Sequence, residues 1–209
     1  MKPSVVRTVV KDLPYMELEE GEFVFDFITG HKLTNCLELG FYHGVSSAYI
    51  AAALHEMGTG KLTTIDTIKV HQLQPNIESI ISELGLQKYV KYYFEPNSYT
   101  WRLMKFLRKK NFKNFDFCYI DGGHTWDTTG FAYFLVSRLL KPGGWLIFDD
   151  LNWTHQNPAV SHTDKVKAMA KDEQKAAQVG LVYDLLVKRD PQFTDFIVKG
   201  SWGFARKLY

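Results

Sequence analysis

The sequence contains few features that would place the protein in an oxidising compartment or a membrane. It has two cysteines, Cys36 and Cys118, and both lie in apolar runs, which predicts buried thiols rather than a disulfide or a metal pair. No apolar run approaches the roughly 18 residues that span a bilayer, and no charged-then-apolar leader opens the chain. We therefore expect a reducing, cytoplasmic setting without membrane insertion.

An excess of charge of one sign is also missing. The 25 basic and 23 acidic residues leave a net charge of +2, so the field of the protein gives no reason to expect a nucleic acid or an anionic membrane as partner. The cysteine and histidine spacing of a zinc site is absent as well. These exclusions favour a protein that binds a small molecule. The sequence is also compatible with a homo-oligomer.

The apolar content is sufficient for one core. With 209 residues, 45% of them hydrophobic, we expect a single domain over 1–209 with a polar N-terminal arm at 1–18. Residues 21–33 have the apolar spacing of a helix, which Gly30 is expected to end. Segments of strand type then alternate with segments of helical spacing, which predicts a parallel sheet with helices on both faces. The predicted strands are 35–39, 61–66, 90–95, 115–121 and 144–150.

The C-terminal part departs from this alternation. Residues 152–171 are irregular and polar, which is typical of a substrate lid or of a mobile segment. FTDFIVK and GFARKL then alternate around a turn at 200–203 like an antiparallel hairpin. The fold class predicted is α/β, with a Rossmann-like, doubly wound sheet that is mostly parallel and carries an antiparallel C-terminal hairpin strand.

The most informative stretch is CLELGFYHGVSSA, residues 36–48. An apolar run ends in Glu38 and gives way to Gly40 and Gly44 before a helix-forming segment. Glycine permits a tight turn and a close ligand, and the free N–H groups at the start of a helix suit a carboxylate. The dinucleotide fingerprint G-x-G-x-x-G is absent because Tyr42 occupies its middle position, which disfavours NAD. A purely structural turn is the alternative.

Acidic residues end the predicted strands, at the edge where open parallel sheets bind ligands. Asp66 ends the second strand, where a carboxylate can accept hydrogen bonds from both hydroxyls of a ribose. A helix cap is its alternative role. Asp121, Asp149 and Asp150 follow strands four and five, which we expect to be neighbours.

Three crowded carboxylates repel each other unless protons or a cation neutralise them. Oxygen ligands suit Mg²⁺, Mn²⁺ or Ca²⁺, and the alternative is that the acids cap helices or face solvent without a metal. His124 follows Asp121 by three residues. Its imidazole can accept a proton near neutral pH, although a single histidine is more often structural.

Together these residues resemble the class I S-adenosylmethionine (SAM)-dependent methyltransferases over roughly residues 20–207. ELGFYHGVSSA is similar to the first motif of catechol O-methyltransferase, and TTIDT and SWGFARK also match the family. FDFCYIDGGHTWD and LLKPGGWLIFDDLNW resemble small bacterial methyltransferases of secondary metabolism, including macrolide-sugar O-methyltransferases.

The resemblance implies a SAM site and a divalent cation, Mg²⁺ or else Mn²⁺ or Ca²⁺. It places the cation on Asp121, Asp149 and Asp150, and the catalytic residues at His124 and Asp121, with His124 standing where the catechol enzyme has a lysine. Asp150 replaces an asparagine of that enzyme, and Asn97 stands where many members have an acid near the adenine. The implied SAM-binding residues are Glu38, Gly40, Phe41, Tyr42, Gly44, Ser46, Asp66, Thr67, Asn97, Ser98 and Asp121.

The implied reaction is the O-methylation of a hydroxyl on a small molecule. Side chains that could wall the acceptor pocket and favour a ring-shaped substrate, or serve only in packing, are Tyr42, Trp126, Trp153 and His155. Two alternatives are a metal-independent methyltransferase acting on nitrogen or a carboxylate, and a non-catalytic SAM-binding partner subunit. Nucleic-acid modification is disfavoured because Ala159 follows Asn157 and Pro158, so the Asn-Pro-Pro-aromatic motif is absent.

Overall fold

The computed structural model, which describes residues 1–110 and 112–209, contains one mixed seven-stranded sheet. The first five strands pair in parallel, and the last two form an antiparallel hairpin that joins the sheet edge. The order across the sheet is β3-β2-β1-β4-β5-β7-β6. The strands are β1 (Asn35–Leu39), β2 (Lys61–Thr67), β3 (Val90–Glu95), β4 (Phe115–Ile120), β5 (Leu140–Phe148), β6 (Phe193–Lys199) and β7 (Trp202–Lys207). The predicted fold class is confirmed.

Helices cover both faces of this sheet, which explains why the central strands read as continuous apolar runs. One face packs against the first four helices and the other against α5, α6 and α9. The helices are α1 (Pro3–Val10), α2 (Leu18–His31), α3 (Val45–Glu56), α4 (Ile77–Glu83), α5 (Tyr99–Leu107), α6 (Trp126–Leu139), α7 (Asp164–Lys167), α8 (Lys171–Lys175) and α9 (Gln178–Val182). A 3₁₀ turn lies at Ile68–Gln72 and a π-helical turn at Tyr183–Val187.

The two cysteines are buried, free thiols, as predicted. Cys36 on β1 packs into the core on one face of the sheet, and Cys118 on β4 packs into the core on the other. Successive residues of a strand point to opposite faces, and the register places Cys118 beside Leu37 rather than beside Cys36. The sheet therefore lies between the two sulfur atoms.

Two local predictions for the N-terminal part differ from the structure. Residues 3–10 of the expected polar arm form α1, because Val6 and Val10, one helical turn apart, are fully buried. Gly30 does not end α2 either. The helix continues to His31, and Lys32 adopts the left-handed conformation and donates its N–H to the carbonyls of Ile28 and Thr29.

The direction of strand addition reverses between β1 and β4, and the turns after these two strands touch each other. Gly40, just beyond β1, has a φ of +87°, and a Cβ atom there would overlap the carbonyl oxygen of Asp121. The Asp121 N–H donates to the carbonyl of Leu39 at 2.9 Å. Ligands bind at such a reversal point in open α/β sheets.

No helix of the described residues combines the length and the apolar character that crossing a bilayer requires.

Substitution of Gly40 tests the close approach of these two turns. Gly40→Ala combines a left-handed backbone with a steric clash, so we expect a loss of unfolding free energy well beyond the ~1–2 kcal/mol that a left-handed alanine costs. Gly58→Ala is the matched control, because Gly58 has a φ of +70° and open space around its missing side chain. Equal losses for both variants in urea denaturation would show that the turns are not in contact.

Candidate active site

Glu38 lies beneath the glycine turn rather than on its surface. Its carboxylate is completely buried and accepts hydrogen bonds from the hydroxyls of Ser46, at 2.6 Å, and Ser47. Both serines belong to the first turn of α3. Burial raises the pKa of Glu38 to about 7, against the opposing effect of the serine hydrogen bonds. Glu38 therefore fixes the start of α3 to the end of β1.

Asp66 connects the turn after β1 to the turn after β2. One of its carboxylate oxygens accepts the N–H groups of Phe41, at 2.8 Å, and Tyr42, at 2.9 Å. The other accepts the N–H of Thr67 at 2.6 Å. Because Asp66 is only half-buried, its oxygens can accept further hydrogen bonds from a ligand.

Gly44 begins α3 without a side-chain cap. Its φ of +98° is left-handed, and a Cβ atom there would clash with Ile77. The first N–H groups of α3 thus have no capping side chain. This helix start follows Tyr42, whose N–H binds Asp66, by two residues. This arrangement suits an anionic group of a ligand.

The turn after β3 carries Asn97 and Ser98, two of the predicted SAM-binding residues. Ser98 caps α5 by accepting the N–H of Thr100 at 3.2 Å, and Asn97 is exposed. Glu95, an acid at a strand end that the sequence analysis did not select, is buried and paired with Arg102 at 2.5 Å. Its charge is therefore directed toward α5.

Asp121, His124 and Asp150 converge at the carboxyl ends of β4 and β5. The Nε2 atom of His124 lies 3.1 Å from an Asp150 oxygen and 3.8 Å from an Asp121 oxygen. About a third or less of each side chain is exposed. His124 and Asp150 both have positive φ angles, +27° and +60°, which are uncommon for residues other than glycine and cluster at functional sites.

Asp149 is close to this cluster in sequence, but its carboxylate makes other contacts. It accepts the hydroxyl of the buried Tyr119 on one oxygen. On the other it accepts the backbone N–H of Asp150, at 2.6 Å, and the Ser201 hydroxyl, at 3.3 Å. The three predicted acids are thus near one another, and His124 rather than Asp149 completes the tight group.

The electrostatics of the cluster favour a positive charge. Burial alone would lower the pKa of His124, but the carboxylates of Asp121 and Asp150 outweigh it and raise that pKa to about 9. Burial raises the pKa of Asp121, and burial together with the charge of Asp121 raises that of Asp149 to about 7. At neutral pH the protonated His124 therefore places one positive charge beside Asp121 and Asp150.

The same residues fit a divalent cation. One ligand atom from each of Asp121, His124 and Asp150 lies within 4.8 Å of the others. The His124 Nε2 atom is shielded from solvent and has no well-aligned hydrogen-bond partner among the described residues. Carboxylate oxygens suit Mg²⁺ and Mn²⁺, and an imidazole nitrogen is compatible with the latter.

Aromatic and amide side chains from the segment after β5 cover the cluster. The Trp153 ring lies 4.7 Å from that of His124, and the His155 ring lies 4.7 Å from that of Trp153. Gln178, which sequence analysis missed, is buried here and accepts the N–H of Trp126 at 2.7 Å. No sequence motif marks Gln178, since its role depends on packing between distant segments.

Two further predicted aromatic residues, Trp126 and Tyr42, have partly exposed side chains, and the Tyr42 ring packs edge-on against Tyr15.

Comparison with known proteins identifies the family and the fold. A family model described as a methyltransferase domain matches residues 37–151. An O-methyltransferase from Bacillus cereus, solved with SAH, aligns at a TM-score of 0.70 and 18% identity, over 99% of this chain and 92% of that one. An O-methyltransferase of tomaymycin synthesis from Streptomyces achromogenes, solved with SAM, aligns at 0.68 and 19%, over 99% and 89%.

A third structure, an SAH-bound methyltransferase from Podospora anserina, aligns at a TM-score of 0.69 and 13% identity, over 99% of this chain and 86% of that one. At these identities the likeness shows the shared fold. No curated protein matches the sequence.

The raised pKa of His124 predicts how stability depends on pH without divalent ions. A pKa raised from 6.5 to about 9 contributes stability that is fully present below about pH 6.5 and is lost as the pH rises through 9. We expect the loss to be on the order of 3 kcal/mol, measured by urea denaturation across this range. His124→Gln should remove that part of the slope, and His162→Gln, at an exposed histidine, should retain it. Identical slopes in wild type and His124→Gln would contradict the assignment.

Proposed function

The chain belongs to the methyltransferase-domain family, and from this premise we propose that it transfers the methyl group of SAM to a hydroxyl oxygen of a small molecule, assisted by a divalent cation. One observation carries the proposal. Gly40 packs directly on Asp121, which brings the glycine turn and the cluster of Asp121, His124 and Asp150 to one edge of the sheet. A methyl donor held by the first would lie beside an activated acceptor at the second.

The glycine turn suits the charged and polar parts of SAM. The uncapped start of α3 at Gly44 would receive the carboxylate of the methionine part, and the half-buried Asp66 would accept the ribose hydroxyls. Glu38 and Ser46 support the turn from below. The remaining lining would come from Phe41, Tyr42, Thr67, Asn97, Ser98 and the Asp121 backbone. The SAH and SAM in the solved O-methyltransferases support this cofactor.

The acidic cluster suits activation of the acceptor. Asp121 and Asp150 would hold a divalent ion, with Asp149 oriented behind them. A bound ion would supply positive charge that lowers the pKa of an acceptor hydroxyl. A bound cation would compete with the protonated His124 for the carboxylates of Asp121 and Asp150, because the imidazolium lies between these carboxylates.

The transfer itself requires alignment and removal of one proton. The acceptor oxygen forms a bond to the methyl carbon while the carbon–sulfur bond breaks, and the sulfur keeps the electron pair as SAM becomes SAH. The acceptor proton passes to a base, and we assign this role to His124 in its neutral form. Its raised pKa means that it must first lose its own proton to solvent.

The acceptor would lie under residues 152–171, which we assign as a lid. Trp153 packs on His124, and Trp126 and Tyr42 present partly exposed rings. His155 is buried beneath Trp153 and contacts Gln178, so it supports the lid rather than lining the pocket. Flat aromatic walls favour a ring-shaped substrate.

A metal-independent reaction is the second candidate, and one observation favours it. The imidazolium of His124 supplies a positive charge beside Asp121 and Asp150 without a metal. Such an enzyme would act on nitrogen or a carboxylate, and its activity would survive chelation. Binding of SAM without transfer to any acceptor would instead indicate a non-catalytic partner subunit. A cytoplasmic location and a homo-oligomeric state stay as expectations.

Turnover with and without divalent ions tests the proposal directly. We expect the purified protein to convert SAM to SAH in the presence of hydroxylated ring compounds and Mg²⁺, and chelation to abolish the reaction. Asp121→Asn should lower the rate about 10²-fold or more because it removes a charge beside the acceptor. Asp184→Asn, at an exposed ion pair with Lys188, is the control that should retain activity. Full activity of chelated enzyme would exclude the metal, and full activity of Asp121→Asn would exclude this site.

Asp66 tests the cofactor site separately. Asp66→Ala removes the acceptor of the Phe41 and Tyr42 N–H groups as well as the proposed ribose contact. We expect SAH affinity in calorimetry to fall by about tenfold or more, since hydrogen bonds to a charged group contribute about 1.5–3 kcal/mol. Asp26→Ala, at an exposed acid on α2, should bind SAH normally. Undiminished binding by Asp66→Ala would remove Asp66 from the ribose site.

A further inference from the structure

Tyr119 is a buried polar residue that the proposed reaction does not use. It lies on β4, two residues before Asp121, and its side chain is completely buried. Its hydroxyl donates a hydrogen bond to Asp149, and its ring lies edge-on to Trp202. A buried tyrosine hydroxyl that donates to a carboxylate beside the candidate site requires an explanation, since phenylalanine would fill the same space in the core.

We propose that Tyr119 is a positioning residue, which orients Asp150 toward the cation and acceptor site by holding the carboxylate of Asp149. The inference rests on the proposed function, because the site that it serves is the one assigned there. It separates the roles of two consecutive acids: Asp150 faces the site, and Asp149 fixes the direction of Asp150.

The contacts of Asp149 support this separation. The oxygen that does not bind Tyr119 accepts the backbone N–H of Asp150 at 2.6 Å. That hydrogen bond fixes the peptide that leads into Asp150, whose backbone is left-handed with a φ of +60°. An aspartate can adopt this conformation, but it needs surrounding contacts to persist. The Asp150 carboxylate then lies 3.1 Å from His124.

The turn between β6 and β7 holds the same segment from the other side. The Ser201 hydroxyl donates to the Asp149 carboxylate at 3.3 Å. The Ser201 backbone carbonyl accepts the N–H of Leu151 at 2.9 Å. Residues on both flanks of Asp150 are therefore fixed by elements outside the loop. Groups that orient metal ligands in this way affect metal affinity although they do not touch the ion.

Loss of the tyrosine hydroxyl should release Asp149 while leaving the core intact. Phenylalanine keeps the ring, so the packing against Trp202 remains. The Asp149 carboxylate would lack its buried donor and could rotate toward Asp121. The two like charges would then repel each other more strongly. Asp150 would then lose its fixed direction, and the ligands for a cation would no longer converge.

The chain contains a matched pair for comparison. The Tyr133 hydroxyl donates to Asp190 at 2.6 Å, in a groove between α6 and the segment after the π-helical turn. This is the same tyrosine–carboxylate interaction, but neither residue belongs to the proposed site. Tyr133→Phe therefore reports the structural cost of removing such a hydroxyl.

The test is binding of Mn²⁺ alone to metal-free protein, measured by titration calorimetry and electron paramagnetic resonance, with SAH binding measured in parallel. We expect Tyr119→Phe to weaken Mn²⁺ binding by about 10- to 100-fold and to leave SAH affinity unchanged. Tyr133→Phe should bind both as the wild type does. Ser201→Ala, which removes a longer hydrogen bond to the same carboxylate, should weaken Mn²⁺ binding less, and it decides the question if Tyr119→Phe does not fold.

Unchanged Mn²⁺ affinity in Tyr119→Phe, or in Ser201→Ala if only that variant folds, would overturn the inference. So would a wild type that binds no Mn²⁺, an equal loss in Tyr133→Phe, or a parallel loss of SAH affinity, which would indicate a general structural effect. Wild-type protein that binds Mn²⁺ but methylates no acceptor would contradict the proposed function, and the response of Mn²⁺ binding to Tyr119→Phe would still decide the role of Tyr119.

Discussion

The repulsion between carboxylates at the ends of β4 and β5 is the constraint on which the site depends. Asp121 and Asp150 are partly withdrawn from water and face each other across His124. Such a pair is stable only if a positive charge lies between them, and the imidazolium of His124 supplies it. A divalent cation would satisfy the same requirement, so the group can serve either as a cation site or as a proton-transfer site. In the proposed reaction, either use would place positive charge beside the acceptor hydroxyl.

The backbone brings this charged group to the glycine turn after β1. The turns after β1 and β4 meet at the point where strand order reverses, and only a glycine at position 40 allows them to touch. Asp66 holds the first turn through two N–H groups, and Asp149 holds the segment after β5 through one. In each case a carboxylate of one strand end fixes the backbone of a turn. The rigidity of this edge comes from hydrogen bonds to charged groups, which are stronger than those between neutral ones.

Much of this arrangement could be predicted from the sequence because it follows from strand periodicity. Strands β1 to β4 begin at the first residues of the predicted apolar segments, which are Asn35, Lys61, Val90 and Phe115. The carboxyl ends of these strands place Glu38, Asp66 and Asp121 at one edge of the sheet. The direction of individual side chains could not be predicted. Asp149 turns from the cluster because Tyr119 and Ser201, distant in sequence, bind its carboxylate. Helix α1 was missed because only its few buried residues distinguish it from a polar arm.

In the proposed function, the acidic cluster beside Gly40 holds a cation next to the methyl donor. A crystal grown with SAH and Mn²⁺, with diffraction data collected at the manganese absorption edge, tests it most directly. We expect an anomalous peak between Asp121 and Asp150, with SAH over the glycine turn and its ribose on Asp66. A peak elsewhere, or SAH bound away from this edge of the sheet, would contradict the claim.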